Sequence, residues 1–318
     1  MRTSPPTSSQ PAVALPSDLV FFERGWLSSN GILFRDGERA CLVDTGYSAH
    51  ADQTLDLVNA ALGNDLTLSH VLNTHLHSDH CGGNAVLIAN HPDVQVFVPE
   101  LYAPAVTAWD GHALSHHPTG QVCAPFPLHG VLEAGASFRF GHRIWQIHHA
   151  PGHDDWAVML FCADDGILIS GDALWGNGFG VVFPAIYSDS GFDRVGLTLD
   201  LIERLKPRLV IPGHGQAFSN VDAAMDKARS RLSYFLSSPL AHASHAAKVL
   251  IKFKLLEWQQ IELPVFMAWC EDNAYLKQLH GKHFHELPYA AWLDGLIAGM
   301  VESEVCLLTD GQLINHNG

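Results

Sequence analysis

Asn73-Thr74-His75-Leu76-His77-Ser78-Asp79-His80 holds three imidazoles and a carboxylate between His75 and His80, directly after the apolar pair Val71-Leu72. A polar, histidine-rich surface loop is the bland reading, but 21 histidines in 318 residues make H-x-H-x-D-H a rare coincidence. Neutral imidazole and carboxylate oxygen are ligands for Zn²⁺ and its neighbours, and a turn after a strand aims several side chains into one cleft. Three further ligand-type residues end apolar runs, each directly after a glycine: His153 in Ala150-Pro151-Gly152-His153, Asp172 in Ile169-Ser170-Gly171-Asp172, and His214 in Ile211-Pro212-Gly213-His214. Glycine there permits a sharp turn and leaves room beside an ion.

These motifs together resemble those of metallo-β-lactamase-fold hydrolases, above all the glyoxalase II-like branch, over about Asp18 to Asn220. The resemblance implies an α/β protein built as a four-layer αββα sandwich. It also implies two divalent ions, Zn²⁺ first with Mn or Fe as alternatives. Carried over position by position, His75, His77 and His153 form one metal site, Asp79, His80 and His214 the other, and Asp172 bridges both. Asp79 and Asp172 are then the catalytic carboxylates. A water shared by two cations ionises near neutrality and attacks an electrophilic carbonyl or phosphorus, while a metal polarises the substrate oxygen. Asp44, in Leu42-Val43-Asp44-Thr45-Gly46, matches the family's early strand-end motif and is expected to brace the metal loops without binding metal. The common zinc β-lactamases carry Cys at the position of Asp172, and the flavodiiron branch carries acidic residues within the first motif, where this chain has His77. No G-x-S-x-G serine elbow is present.

The elements that must position these residues follow from composition and period. A chain with 47% hydrophobic and 16% charged residues is globular. A formal charge of −15 argues against a general nucleic-acid surface, since neutralising phosphates needs clustered Lys and Arg. Cys41, Cys81, Cys123, Cys162, Cys270 and Cys306 form no C-x-x-C pair and read as reduced, mostly buried thiols of a cytoplasmic protein, Cys81 included. Residues 1–17 read as a disordered leader without signal-peptide character, and no apolar run spans a bilayer.

Short strands are expected at Leu19–Phe22, Gly31–Val43 (turned at Asp36-Gly37), His70–Thr74, Gln95–Val98, Phe138–His149, Trp156–Cys162, Gly166–Ser170 and Arg208–Pro212. Helices are expected over 49–63, from Cys81 onward and over Phe192–Leu205. Tyr102 to Leu128 lacks a clean period and reads as an insertion beside a substrate pocket. After the catalytic domain, 18–220, residues 221–318 read as a mainly helical domain closing in a hairpin around Asp310-Gly311, similar to the winged-helix-like tails of some family members. The acidic chain favours a packing, dimerising or pocket-closing role for it over nucleic acid. His280, His283 and His285 read as a solvated loop.

Substrate is read from fewer residues. Trp109, Trp175, Phe179 and Tyr187, with Phe183, suggest an apolar acyl or ring pocket, although aromatics at such positions serve equally as core. The expected function is hydrolysis of an ester, thioester or lactone of a small molecule by a metal-bridging hydroxide. A phosphodiesterase or ribonuclease and a non-haem iron sulfur dioxygenase are the rivals on the same fold.

Overall fold

In the computed structural model, which describes residues 13–183 and 191–316, hydrophobic alternation and Gly-centred turns lay down two facing sheets. Leu19–Phe22 (β1), Gly31–Asp36 (β2) and Arg39–Val43 (β3) form an antiparallel meander, with Asp36 paired to Arg39 across a two-residue turn in which Gly37 has φ 57°. A two-residue hairpin loop of this kind needs a positive φ, which glycine adopts without strain. Ala51–Leu62 (α1) then crosses to Thr67–Leu72 (β4), which lies parallel to β3 and delivers the histidine motif at its end. Ser78–Cys81 (α2) and Asn84–Asn90 (α3) lead to Gln95–Pro99 (β5), again parallel. The insertion carries two short helices, Ala103–Ala108 (α4) and His116–Thr119 (α5), before Gly130–Leu132 (β6) completes a six-stranded sheet in the order β1-β2-β3-β4-β5-β6.

The second sheet begins with Ser137–Phe140 (β7) and Arg143–His149 (β8), so the single strand expected over Phe138–His149 is a hairpin instead. Gly141, at φ 61°, makes the turn. Both arms are strand-like, so only this glycine marks the break. Val158–Cys162 (β9), Ile167–Gly171 (β10), Gly191–Leu205 (α6) and Leu209–Pro212 (β11) follow, giving the order β11-β10-β9-β8-β7 with β10 and β11 parallel.

The facing sheets bury Ile32, Val43, Leu72, Ile147, Leu160 and Ile169 between them. Leu33, Val58, Leu62 and Leu87 pack on the outer face of the first sheet, and Met159, Leu168, Leu199 and Ile202 on that of the second. These are the four layers of an αββα sandwich, the class expected. Val221–Ser237 (α7) adds Ala224, Met225, Ala228 and Leu232 to the last layer. A further cluster is built on Pro239–Trp258 (α8) from Ala243 onward, with Phe183 packed into it.

That cluster joins α8, Leu263–Asp272 (α9), Ala274–His283 (α10) and Tyr289–Glu302 (α11) to a three-stranded antiparallel sheet. The sheet is Gln260–Glu262 (β12), Cys306–Thr309 (β13) and Gln312–Asn315 (β14). The hairpin around Asp310-Gly311 is present, whereas β12 was not foreseen. His280 and His283 lie on α10, not in a loop; Asn273 caps that helix by accepting from the Leu276 N–H at 2.9 Å. Among the described residues no helix is long and apolar enough to cross a membrane, and all six cysteines are free thiols.

The insertion is held from two sides. The Ser78 hydroxyl donates to Gln121 Oε1 at 2.5 Å and the Ser48 hydroxyl to the Val122 carbonyl at 2.8 Å. From the C-terminal helices, Asn273 Nδ2 donates to the Thr119 carbonyl at 3.2 Å and Lys254 Nζ to the Gly120 carbonyl at 3.4 Å.

Candidate metal centre

The ends of β4, β8, β10 and β11 lie at one edge of the sandwich, and each delivers its predicted residues there. Two triplets assemble, His75-His77-His153 and Asp79-His80-His214, with one ligand-type atom per residue all within 4.8 Å of one another inside each triplet. Asp172 lies between them. Its Oδ2 is 3.4 Å from His153 Nε2 and 3.8 Å from His214 Nε2, and its Oδ1 is 3.4 Å from His80 Nε2. All seven side chains are buried.

Hydrogen bonds decide which ring nitrogen of each histidine is bare. His80 Nδ1 is 2.8 Å from Asp44 Oδ2, and His75 Nδ1 is 3.1 Å from Thr74 Oγ1, whose own proton goes to Asp44 Oδ2 at 2.8 Å. Both rings thus donate through Nδ1, and their Nε2 atoms, buried and without a hydrogen-bond partner among the described residues, face the cluster, that of His75 with a lone pair and that of His80 where a proton or an ion can sit beside the carboxylates. His153 Nδ1 donates to the Val181 carbonyl at 2.5 Å, which leaves its Nε2 only 2.8 Å from His77 Nδ1. Such convergence of lone pairs, costly when empty, fits a divalent cation among them.

The electrostatics agree. Burial lowers the pKa of His77 and His153 to about 4 and that of His75 well below the ordinary imidazole value, so these three are neutral donors at pH 7. Burial also opposes charge on His80, but Asp172, Asp44 and Asp79 outweigh it and raise that imidazole well above its usual range. Burial would raise Asp79 and Asp172, yet His80 and His214 hold both below the usual carboxylate range. A buried pocket whose carboxylates demand a positive charge is one that an ion of oxygen- and nitrogen-binding type fits.

Asp44 holds the expected bracing place. Its backbone has φ 58°, and besides His80 and the Thr74 hydroxyl it accepts the Thr74 N–H at 2.8 Å. Sequence reasoning missed three other supports. Asn30 Nδ2 donates to the Pro212 and Gly215 carbonyls at 2.9 and 2.8 Å, clasping the loop of His214. Asp154 accepts from the Tyr102 hydroxyl and, at 2.8 Å, from the Trp156 N–H, and lies 3.6 Å from His77 Nε2. The doubled Asp154-Asp155 after His153 was the available signal. Trp26 stacks on His214 at 5.0 Å, 63% exposed; it stands in an aperiodic loop, where nothing local marked it.

The predicted substrate residues divide. Trp175 is at the centre: its Nε1 donates to Asp172 Oδ1 at 3.2 Å, and its ring meets His214 at 5.3 Å and Trp26 at 5.4 Å. Trp109 instead packs on Phe126 at 5.3 Å in the layer outside the first sheet. Phe179 is fully buried beneath Arg231, and Phe183 joins the C-terminal cluster against Tyr275. Phe179 and Phe183 are buried in apolar layers, and Trp109 is partly buried against another. Tyr187 lies outside the described residues.

Gly213 shows how tightly the centre is built. A Cβ there would meet Asp172 Oδ1 and come within 2.8 Å of His80 Cε1. Gly213→Ala is therefore expected to weaken metal binding by about 10–100-fold, the scale of lost ligand positioning, measured by competition with a chromophoric chelator. Full occupancy at wild-type affinity would mean that the loop yields freely.

An αββα sandwich with a histidine- and aspartate-lined centre at its sheet edge defines the class to which this chain belongs. The model of the Metallo-beta-lactamase superfamily matches residues 24–214, and the chain is a member of that superfamily. Among curated relatives, the Thioesterase pkgB of Emericella nidulans is 26% identical over 193 residues, 61% of this chain and 47% of that protein. A hydroxyacylglutathione hydrolase of a Synechococcus species is 28% identical over 148 residues, 46% of this chain and 49% of that protein. The chain thus spans about half the length of these relatives. In fold it is similar to a metallo-beta-lactamase family protein of Thermus thermophilus, with a TM-score of 0.58 at 20% identity, over 85% of this chain and 95% of that one.

Proposed function

We propose that this protein is a dinuclear metal-dependent hydrolase that cleaves a thioester, or the related ester or lactone, of a small molecule. The observation that carries the reading is the pair of ligand triplets flanking Asp172, with the Nε2 atoms of His75 and His80 buried and unpartnered. Hydrolase relatives, one named a thioesterase and one for hydroxyacylglutathione, support the thioester over the phosphodiester. So does the charge of −15, which offers no general attraction to a polyanion.

His75, His77 and His153 would hold one ion, Asp79, His80 and His214 the other, and Asp172 both, with zinc the first choice. Two divalent ions held there would supply a water of lowered pKa as nucleophile and a Lewis acid for the carbonyl oxygen. The chain supplies placement. Asp44 fixes the tautomer of His80, and Trp175 fixes the Oδ1 edge of Asp172. Asp79, 3.2 Å from His214 Nε2, would orient the nucleophile or relay its proton. Trp26 and Trp175 form an apolar wall beside His214, suited to an acyl chain or ring. Trp175→Phe keeps the wall and removes the bond to Asp172, so kcat is expected to fall about tenfold with KM little changed, the mark of an interaction made in the transition state.

The test is elemental analysis of the purified protein beside a panel of aryl thioesters, esters, lactones and bis-aryl phosphodiesters. Two zinc or manganese ions per chain with thioester turnover is the expected result. One iron per chain, an inert panel and oxygen uptake with a sulfur substrate would replace this reading by a sulfur dioxygenase. His283→Ala, on α10, is expected to leave metal content and turnover unchanged.

A further inference from the structure

The geometry points to a third metal site, formed by Cys81, His116 and Cys123, that takes a single thiophilic divalent ion such as Zn²⁺ or Cd²⁺. One ligand-type atom from each of these residues lies within 4.8 Å of the others, and none of the three belongs to the centre described above. Cys81 is the free, buried thiol expected from the sequence, and the insertion brings to it two partners that sequence distance had hidden. Cys81 and His116 are buried, at 1% and 4% exposure, while Cys123 is partly exposed and gives an ion a way in.

The sulfur separation separates a metal site from a disulfide. Cys81 Sγ and Cys123 Sγ are 3.7 Å apart. Two thiolates about 2.3 Å from one tetrahedral ion stand about 3.8 Å apart, so an ion fits the sulfurs where they are. A disulfide needs about 2.05 Å, so at the separation found the two thiols are free and not bonded to each other. A Cβ at Gly82 would collide with Ser48 N and approach Ser78 O to 2.6 Å, so α2 is pressed against its neighbour. On the other side Gln121 and Val122 are tied to Ser78 and Ser48. His116 Nε2 donates to the Leu76 carbonyl at 3.0 Å and the Cys81 thiol to the same carbonyl at 3.6 Å, so an ion would take the place of these hydrogen bonds.

Binding replaces one proton on each thiol by the shared ion, with no change of oxidation state. A Cys₂His donor set with one position left to solvent has the softness to prefer zinc or cadmium to magnesium or calcium. Its effect would be to clamp α2, which carries Asp79 and His80, to the segment that Lys254 and Asn273 grip from the C-terminal side.

The test uses the full chain with its histidine-aspartate centre already loaded with zinc. That centre has no sulfur ligand, so sulfur-to-metal charge-transfer absorption during a Cd²⁺ titration reports the new site alone. One equivalent of thiolate-bound cadmium is expected. Cys123→Ser should abolish the band without changing turnover or the zinc already bound, and His116→Ala should weaken cadmium binding about tenfold or more. In the unmodified protein, excess Zn²⁺ should slow alkylation of Cys123 at least about tenfold. Absence of the band, its survival in Cys123→Ser, or alkylation at the same rate with and without added ion would each overturn the site.

Discussion

Asp172→Ala is expected to abolish hydrolysis and to leave the protein with one metal ion or none. The reasoning rests on position. Among the described residues Asp172 is the one whose carboxylate reaches members of both triplets, His153 in one and His80 and His214 in the other, at 3.4–3.8 Å. On the proposed dinuclear reading, removing it would delete a ligand from each side and the negative charge that offsets two cations. Loss of one preorganised electrostatic group costs about 10²–10³ in kcat; here an ion departs as well, so a fall of about 10³ or more is expected. Elemental analysis and single-turnover assays of the same sample measure both quantities. Metal retained at two per chain with wild-type turnover would end the bridging assignment. Asp172→Asn, which keeps the shape and halves the acceptor capacity, should lose affinity for the ions first, so excess metal should restore part of its rate.

The second large effect is expected at a residue that touches no ion. Asp44 accepts from the Thr74 N–H, the Thr74 hydroxyl and His80 Nδ1, all buried. Asp44→Ala leaves these donors without an acceptor, and at about 1–3 kcal/mol for each unsatisfied group the variant should lose about 3 kcal/mol or more of stability. Asp44→Asn is the more informative change. An amide has one acceptor oxygen and one NH₂, so whichever way it turns, a donor faces either the Thr74 N–H or His80 Nδ1–H. The escape is for His80 to shift its proton to Nε2, the atom the second ion needs. Asp44→Asn should therefore fold yet bind the second ion about 10–100-fold more weakly, with the first site largely intact. Competition with a graded series of chelators reads the two affinities separately. Equal weakening of both would show that Asp44 acts through the loop as a whole.

Of the aromatics suggested for a pocket, the fold brings Trp175 to the centre and packs Trp109, Phe179 and Phe183 against apolar layers. Trp175 follows the strand-end ligand Asp172 by three residues and stays at the centre because the turn has little room to carry it elsewhere. Phe179 is only four residues further on, yet it is buried under Arg231. Trp109 stands in an aperiodic insertion, and an indole of that size goes to whichever apolar layer lies nearest, here that of Phe126. Local spacing does not distinguish a ring that faces a cleft from one that faces a core, because both bury apolar area with similar gain.

By itself the sequence determined the four-layer class, and it singled out the seven residues that the fold brings together and the strand-end position of Asp44. Each ligand ends an apolar strand or follows a glycine turn, so its direction is set by a few adjacent backbone angles. What only the tertiary structure decided are contacts between elements far apart in the chain. Those are the tautomers of His75 and His80, Trp26 against His214, Asp154 beside His77, the break of β7 from β8, the histidines of α10, and Cys123 against Cys81. Period and turn chemistry fix how a segment lies along itself. Which partner it meets depends on how whole layers pack, and a one-dimensional pattern does not contain that.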